Sequence, residues 1–591
     1  MKSNFSYGII FLVLFSLSVK IDAQSLNAPD WAWAKSLSAT HGIYGHDIAI
    51  DPNGSGDIYL TGGFEGTTDF DPGPGTFTLS TGSSNDVGTF VAKFNGSGDF
   101  IWAKAMVGVA GTYGSPYSMA IDPTGSGAIY TTGRFGGKVD FDPGPNTFNL
   151  TAVGNNDIFI SKLDTAGNFV WARTMGGPAD DFGVSLAYDP EGSGSVYTTG
   201  QFRGTVDFDP GDTATFNLIS KGNYDIFISK LDSEGNFLWA KRFGSVGIDV
   251  SRAIAFDPTG IGGVYTTGQF YGTVDFDPGD STTFNLIAAG HQENYISKLD
   301  PSGNFIWAKQ MGTVNLGEFD RDGSIDLDLE GSGEVYVTNL FVGKQDFVPG
   351  DTLTSVGDHD VFISKLSDSG EVNWAGAMGG PSLDECIDIA VQPGGSGNIF
   401  TLGMFQGTVD FDPGLDSVEV PSSAGKDIFI SLLNSSGKFQ WVKTIKGVAN
   451  EYGQGMVADN KFLYVTGAFF GSSISFDSIN FINNNISGTG PDLYFAKLDI
   501  SVATTELESK TQKINLYPNP ATNELTIEID EDGYFNVGIT LLNVLGEVVY
   551  FSPGENIGRK KTIDISALAT GIYFVELNID GNRVVEKVVK E

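Results

Sequence analysis

The sequence predicts an all-β chain: a closed seven-bladed β-propeller with four strands per blade, followed by a small Ig-like β-sandwich. Three observations predict it. A tryptophan-centred segment recurs at Trp33, Trp102, Trp171, Trp239, Trp307, Trp374 and Trp441, a period of 67 to 69 residues. A second mark follows each tryptophan, at Tyr59, Tyr130, Tyr197, Tyr265, Tyr336, Phe400 and Tyr464, in the setting Val-Tyr-Thr-Thr-Gly at Tyr197 and Tyr265 and in variants of it elsewhere. The array opens on a lone tryptophan strand, Trp31–Lys35, and closes on Asp492–Asp499 with no tryptophan arm after it, so each end completes the other. A linear solenoid would leave a broken unit at both ends, whereas a ring leaves none and removes exposed strand edges.

Within one repeat, Asp157–Arg173 shows how the strands arise. Ile158, Phe159, Ile160 and Leu163 form an apolar run, Asp164 to Asn168 carry turn chemistry, and Phe169, Val170 and Trp171 begin a second run, which together read as a hairpin. Neither arm alternates strictly, as expected of a sheet stacked between two similar sheets. Ahead of it lies the Tyr-Thr-Thr-Gly strand, and ahead of that a strand of small residues such as Ser118–Ile121, closed by the turn Asp122–Gly127. The order is that of a propeller blade, with the small residues at the crowded axis. These Tyr-Thr-Thr-Gly, Ile-Ser-Lys-Leu-Asp and Gly-Asn-Phe-x-Trp-Ala segments resemble the Bacteroidetes-type β-propeller repeats (SBBP-like repeats) of secreted proteins. The resemblance covers about four fifths of the chain and implies the fold; propellers host unrelated functions.

Residues 1–23 have Lys2, an apolar core from Ile9 to Val19 and a small residue at Ala23, the layout of a secretory signal peptide. That core is too short to span a bilayer, and the expectation is a mature chain from about Gln24 with no transmembrane segment. The only cysteine, Cys386, excludes an internal disulfide and is expected to act as a small buried hydrophobe. With 34 Lys+Arg against 72 Asp+Glu, a formal net charge of −38, nucleic acid is excluded as a partner.

The motif with chemistry to offer is Val-Asp-Phe-Asp-Pro-Gly. It places paired carboxylates at Asp69 and Asp71, Asp140 and Asp142, Asp207 and Asp209, Asp275 and Asp277, and Asp410 and Asp412, on the strand face opposite Val206 and Phe208 or their equivalents. Two readings follow. The aspartates cap backbone amides of a tight turn, or the five pairs bind calcium, which favours oxygen ligands but needs six to eight of them. The fifth repeat has Asp346-Phe-Val-Pro-Gly350 and the seventh Ser475-Phe-Asp477, so a cation role would not be shared by all blades. No other cofactor is expected.

The fifth repeat also carries Glu318-Phe-Asp-Arg-Asp-Gly323, whose register fails for an EF-hand because Glu330 falls one residue late. Its inner strand puts Asp326 where other repeats have Ala120, Ala187, Ala255 and Ala390, a polar mark in the central channel. Of the histidines, His41, His46, His291 and His359, only the first two are close in sequence, and their spacing does not make a zinc site. No nucleophile elbow, phosphate loop or zinc-protease motif is present.

From Ser501 to Lys513 the chain turns polar and loses the repeat marks, which reads as a linker between a propeller at 24–500 and a C-terminal domain at 514–591. About seven short strands follow, among them Glu524–Ile529, Val537–Leu542 and a hairpin turning at Asp580–Asn582, a β-sandwich pattern. The segments Tyr517–Pro520, Leu542–Glu547, Leu568–Tyr573 and Lys587–Lys590 resemble the type A C-terminal sorting domain of the type IX secretion system. The resemblance implies passage through the type IX machinery, cleavage by a sortase-like peptidase, and an extracellular or outer-membrane-surface location. The expectation is a non-enzymatic binding or scaffold protein for an extracellular protein or glycan. The alternative is a hydrolase or lyase using the irregular first and fifth blades, which a funnel of convergent ionisable groups would favour.

Overall fold

A computed structural model describes residues 28–591 except 84–85, 109–110, 191–193, 212–213, 260–261, 280, 315–321, 329–332, 349–350, 415, 424, 484–489, 502–513, 530–534, 544–547, 558 and 580–581. The segment read as a signal peptide, most of the stretch read as a linker and Glu318–Arg321 therefore lie outside the described residues. The chain divides after Ile500 into two compact units. Every element of regular structure among the described residues is a β-strand. No helix there is long and apolar enough to cross a membrane.

In the first unit the repeats become antiparallel four-stranded groups. In the third repeat, Phe182–Tyr188 pairs with Val196–Phe202, that strand with Asp225–Leu231, and that in turn with Phe237–Phe243. The two middle strands are buried at every residue, which accounts for their unbroken apolar run. Seven such groups are present among the described residues, and their first strands pack against one another in cyclic order, with Glu451–Ala458 against Gly42–Ile50. The last group takes its fourth strand from the chain's beginning: Trp31–Leu37 pairs antiparallel with Asp492–Asp499, Leu37 opposite Leu493 and Ala34 opposite Ala496. The result is propeller-like and nearly closed on itself.

Neighbouring groups are clamped by the side chains that define the repeat. Trp171 donates its indole N–H to the carbonyl of Ser233 in the next group at 3.0 Å, and the Lys162 ammonium donates to the same oxygen at 3.0 Å while lying 5.0 Å from the centre of the Tyr130 ring. The turn that receives them contains Gly235, at φ +78°, where an added Cβ would sit 3.0 Å from the Trp171 ring. Both the left-handed backbone and the close approach require glycine there.

The link between second and third strands is more ordered than four strands per repeat implies. It forms a two-stranded ribbon, Thr205–Asp207 against Asn217–Ile219 in the third repeat, whose start bridges back to the preceding group between Gly176 and Asp207. The middle phenylalanine of the acidic motif fixes it: Phe208 is buried, with its ring centre 5.3 Å from Phe202 and 4.9 Å from Phe227. The same three-ring cluster recurs at Phe64, Phe70 and Phe90 and at Phe405, Phe411 and Phe429.

The second unit holds two antiparallel sheets, one of three strands ordered Ile514–Tyr517, Glu524–Ile529, Lys560–Asp564, the other of four ordered Val548–Ile557, Phe535–Asn543, Gly571–Ile579, Asn582–Lys590. Both contribute to one core, Leu525, Ile527 and Ile563 from the first and Val537, Ile539, Leu541, Val575 and Leu577 from the second. Residues 544–547 of the Leu542–Glu547 segment lie outside the described residues.

Candidate ligand-binding site at the axial channel

The inner strands carry a shared irregularity that aims side chains at the axis. Pairing with the second strand slips by one residue between Gly45 and Asp47, Pro116 and Ser118, Gly183 and Ser185, Ser251 and Ala253, Cys386 and Asp388, and Gly453 and Gly455. The register skips His46, Tyr117, Val184, Arg252, Ile387 and Gln454, and all six line a constriction of about 110 Å3. A β-bulge re-aims side chains in this way. Here it turns a near-repeat scaffold into an irregular ring.

At four of the six bulges the residue that follows ties one inner strand to the next. Asp47 accepts the backbone N–H of Met119 at 2.7 Å, and Asp388 accepts that of Met456 at 2.8 Å; Ser118 and Ser185 play the same part for Leu186 and Ile254 at 3.3 Å. Asp388 also accepts the Ser324 hydroxyl at 2.8 Å. Burial pushes the Asp47 and Asp388 carboxyls up to about 7, for Asp388 with a further push from the charge of Asp47, while the amide hydrogen bonds pull them back. Asp326 does lie on the channel as its sequence position suggests. It accepts Val391 N–H at 2.7 Å and Leu327 N–H at 2.8 Å, and burial raises it to about 6. With Asp47 and Asp388 it lines a wider cavity of about 480 Å3.

A further cavity, of about 420 Å3, shares His46, Ile387 and Gln454 with the constriction. Its wall includes Tyr44, Tyr113, Tyr452 and Phe470 together with Glu65, Asp322 and Glu385. Tyr44 lies 6.1 Å from both His46 and Phe470, and Phe470 5.5 Å from Tyr452, ring centre to ring centre at steep angles. Burial raises the Tyr44 hydroxyl, helped by Glu65, Tyr113 and Tyr452. Beside this wall Arg134 lies over Tyr113 at 4.9 Å and Phe182 at 5.0 Å, and His46 stacks on Tyr117 at 5.9 Å. Glu385 is held by Lys426 at 2.6 Å. These residues come from the first, second, fifth, sixth and seventh repeats, not from the first and fifth alone. The signal in the sequence is departure from the repeat at positions flanking the inner-strand glycine.

The acidic motif lies elsewhere, in the ribbons. Asp207 accepts the amides of Asp209 at 3.1 Å and Phe216 at 2.7 Å, and Asp209 that of Gly211 at 2.9 Å. The pattern repeats at Asp69 and Asp71, Asp140 and Asp142, Asp275 and Asp277, and Asp410 and Asp412. Every pair caps its own turn. Among the described residues no three His, Cys, Asp or Glu side chains converge as a metal cage. Cys386, within its inner strand, is fully buried at 2.7 Å from the Thr338 hydroxyl, and burial raises its thiol.

Comparison with known proteins separates the two units. A family model described as a secretion system C-terminal sorting domain matches residues 515–591, the segment that folds as the two-sheet unit. The chain carries a type IX sorting domain. A protein bearing this domain is secreted, and the domain's engagement with the type IX machinery follows from its type. An uncharacterized WD repeat-containing protein of Acanthamoeba polyphaga mimivirus is 26% identical over 308 residues, 44% of this chain and 22% of that protein. The regulatory protein FlaEY of Caulobacter vibrioides is 27% identical over 203 residues, 33% of this chain and 19% of that protein. The matches thus span about a fifth of the length of these curated relatives. Among solved structures, an apocarotenoid oxygenase mutant of Synechocystis aligns over 79% of this chain and 93% of its own, with 10% identity and a TM-score of 0.32. A protein of unknown function from Bacteroides thetaiotaomicron aligns over 79% and 98%, with 11% identity and a TM-score of 0.26.

Proposed function

We propose that the protein is an exported, non-enzymatic binding protein: a seven-bladed β-propeller delivered by an Ig-like sorting sandwich that a sortase-like peptidase removes, and that takes an extracellular ligand in the cavity beside the axial constriction. The observation that carries the reading is the concentration of off-repeat side chains in that cavity, against a scaffold whose remaining repeat residues serve capping and packing. Sites built for recognition are concave, aromatic and sparsely polar. A cavity of about 420 Å3 edged by four aromatic rings has that character.

The test is a glycan and protein array probed with the full-length secreted chain and with Phe470→Ala, a residue 43% exposed and so a small risk to folding. A ligand retained by the parent and lost by the variant supports the reading. Retention unaffected by Phe470→Ala would move the site elsewhere, and turnover of the retained ligand would assign the hydrolase or lyase reading instead.

A further inference from the structure

The cavity proposed above as the ligand site has a one-sided chemistry. Its wall carries the carboxylates Glu65, Asp322 and Glu385 and four aromatic rings; no lysine or arginine lines it, though Arg134 lies behind it over the Tyr113 ring, which leaves Tyr44, Tyr452 and Phe470 for a ligand. Glu385 is already occupied by Lys426. Glu65 is not: among the described residues it has no ion pair and no side-chain hydrogen bond, and burial lifts its carboxyl above the ordinary range, with His41 as the one neighbouring charge that opposes the rise. An anionic carboxylate held half-buried, its charge opposed by no lysine or arginine and only in part by His41, is favoured further when a cation arrives.

The rings next to it are placed to receive that cation. Tyr44 and Phe470 meet at 59° and Tyr452 and Phe470 at 68°, so the ring planes are steeply inclined to one another where they edge the same space. Aromatic faces carry negative charge density and attract organic cations, most of all weakly hydrated ones such as quaternary ammonium. A metal ion would find too few oxygen ligands here, since no cage of three or more ligating side chains forms among the described residues. An anion would meet Glu65, which has no ion pair among the described residues.

We infer that the cavity bounded by Tyr44, Tyr452, Phe470 and Glu65 recognises an organic cation, an alkylammonium head group whose methyl or methylene surface lies on the rings while its charge faces Glu65. This rests on the reading of the cavity as the ligand site and names its ligand class. The volume exceeds that of the head group alone, so the rest of the ligand extends towards His46 and Gln454 at the constriction.

Isothermal titration of the full-length secreted chain with choline, and with the uncharged tert-butyl analogue of choline, tests this. The expected result is a preference for choline of roughly tenfold or more, abolished in Glu65→Gln and weakened in Phe470→Ala. Equal binding of the two compounds, or binding of neither, overturns the inference. Should Glu65→Gln fail to fold, the parent's discrimination between the two compounds decides alone. An array ligand that Phe470→Ala abolishes, in a protein that does not distinguish choline from its analogue, would leave the cavity as the site and overturn only the ligand class.

Discussion

Trp33 donates its indole N–H to the carbonyl oxygen of Gly96 at 3.2 Å, joining the first described strand of the chain to a turn in the first repeat, 63 residues on. This is the contact that Trp171 makes with Ser233, used to close the ring. Lys497 donates to the same Gly96 oxygen at 3.1 Å from the other end of the array. Three segments distant in sequence thus converge on one carbonyl.

Closure predicts the effect of removing that strand. A chain beginning after Lys35 leaves Asp492–Asp499 with an unpaired edge and opens the first group to its neighbour. Its thermal unfolding is expected to broaden and fall well below that of the parent. Trp33→Ala, which keeps the strand, should destabilise by roughly 2–4 kcal/mol in urea titrations, the lower part of the range for aromatic truncation because Trp33 is only half-buried. If the shortened chain melts as the parent does, the strand does not close the ring.

Ring closure was legible because it depends on a repeat count and on what the two ends of the array lack, and both are visible in a string of residues. The channel was not. A bulge is a mismatch between two strands, so nothing in the period of Gly42–Ile50 announces that the register skips His46; only the pairing with Ile58–Glu65 does. Asp326 stood out because four repeats have alanine at its position. Asp47 and Asp388 occupy a position that the repeats fill variously with serine, alanine or glycine, and so passed as ordinary variation. The ribbons escaped for a different reason: three residues such as Thr205–Asp207 are too few to show alternation.

The buried carboxylates set a pH dependence. Burial raises Asp47, Asp181, Asp384 and Asp388 to about 7, Asp249 and Asp326 to about 6, and Glu451 to about 8. Between the ordinary carboxylate range near 4 and these values, the folded protein holds protons that the unfolded chain has released. Stability therefore falls as pH rises through about 4 to 8. Turn aspartates such as Asp51 and Asp164 act oppositely: burial works against them, but hydrogen bonds from their own turns lower them, and their contribution is lost below about pH 4. The expected Tm is higher at pH 5 than at pH 8.5 by roughly 5 °C, a gap that Asp47→Asn with Asp388→Asn narrows. A Tm that is flat or rising across the interval in calorimetry would contradict this.

Passage across the outer membrane should depend on the second unit. Its core is self-contained, with Leu525, Ile527, Val537, Ile539 and Val575 packed together, and the family match covers residues 515–591. Deleting 514–591 is expected to leave the first unit folded, by circular dichroism and resistance to limited proteolysis, and trapped in the periplasm on fractionation. Display of the shortened chain at the cell surface in parental amount would refute the dependence.

The acidic turns make the last prediction, because their two readings respond differently to calcium. In the third repeat one oxygen of Asp207 accepts two amides, from Asp209 and Phe216, and one oxygen of Asp209 accepts the Gly211 amide. Each backbone N–H donor offsets carboxylate charge, which relieves the repulsion that a cation would otherwise have to relieve. A ligand that binds only the folded state raises Tm by mass action, whereas a turn cap does not depend on calcium at all. Melts in millimolar calcium and in chelator, at constant ionic strength, are expected to coincide. Asp207→Asn with Asp209→Asn keeps an accepting oxygen at both positions but loses the charge that strengthens these hydrogen bonds, so it should lower stability by about 1 kcal/mol equally in both conditions. A rise in Tm with calcium in the parent that disappears in the double variant would show instead that the pairs bind the ion.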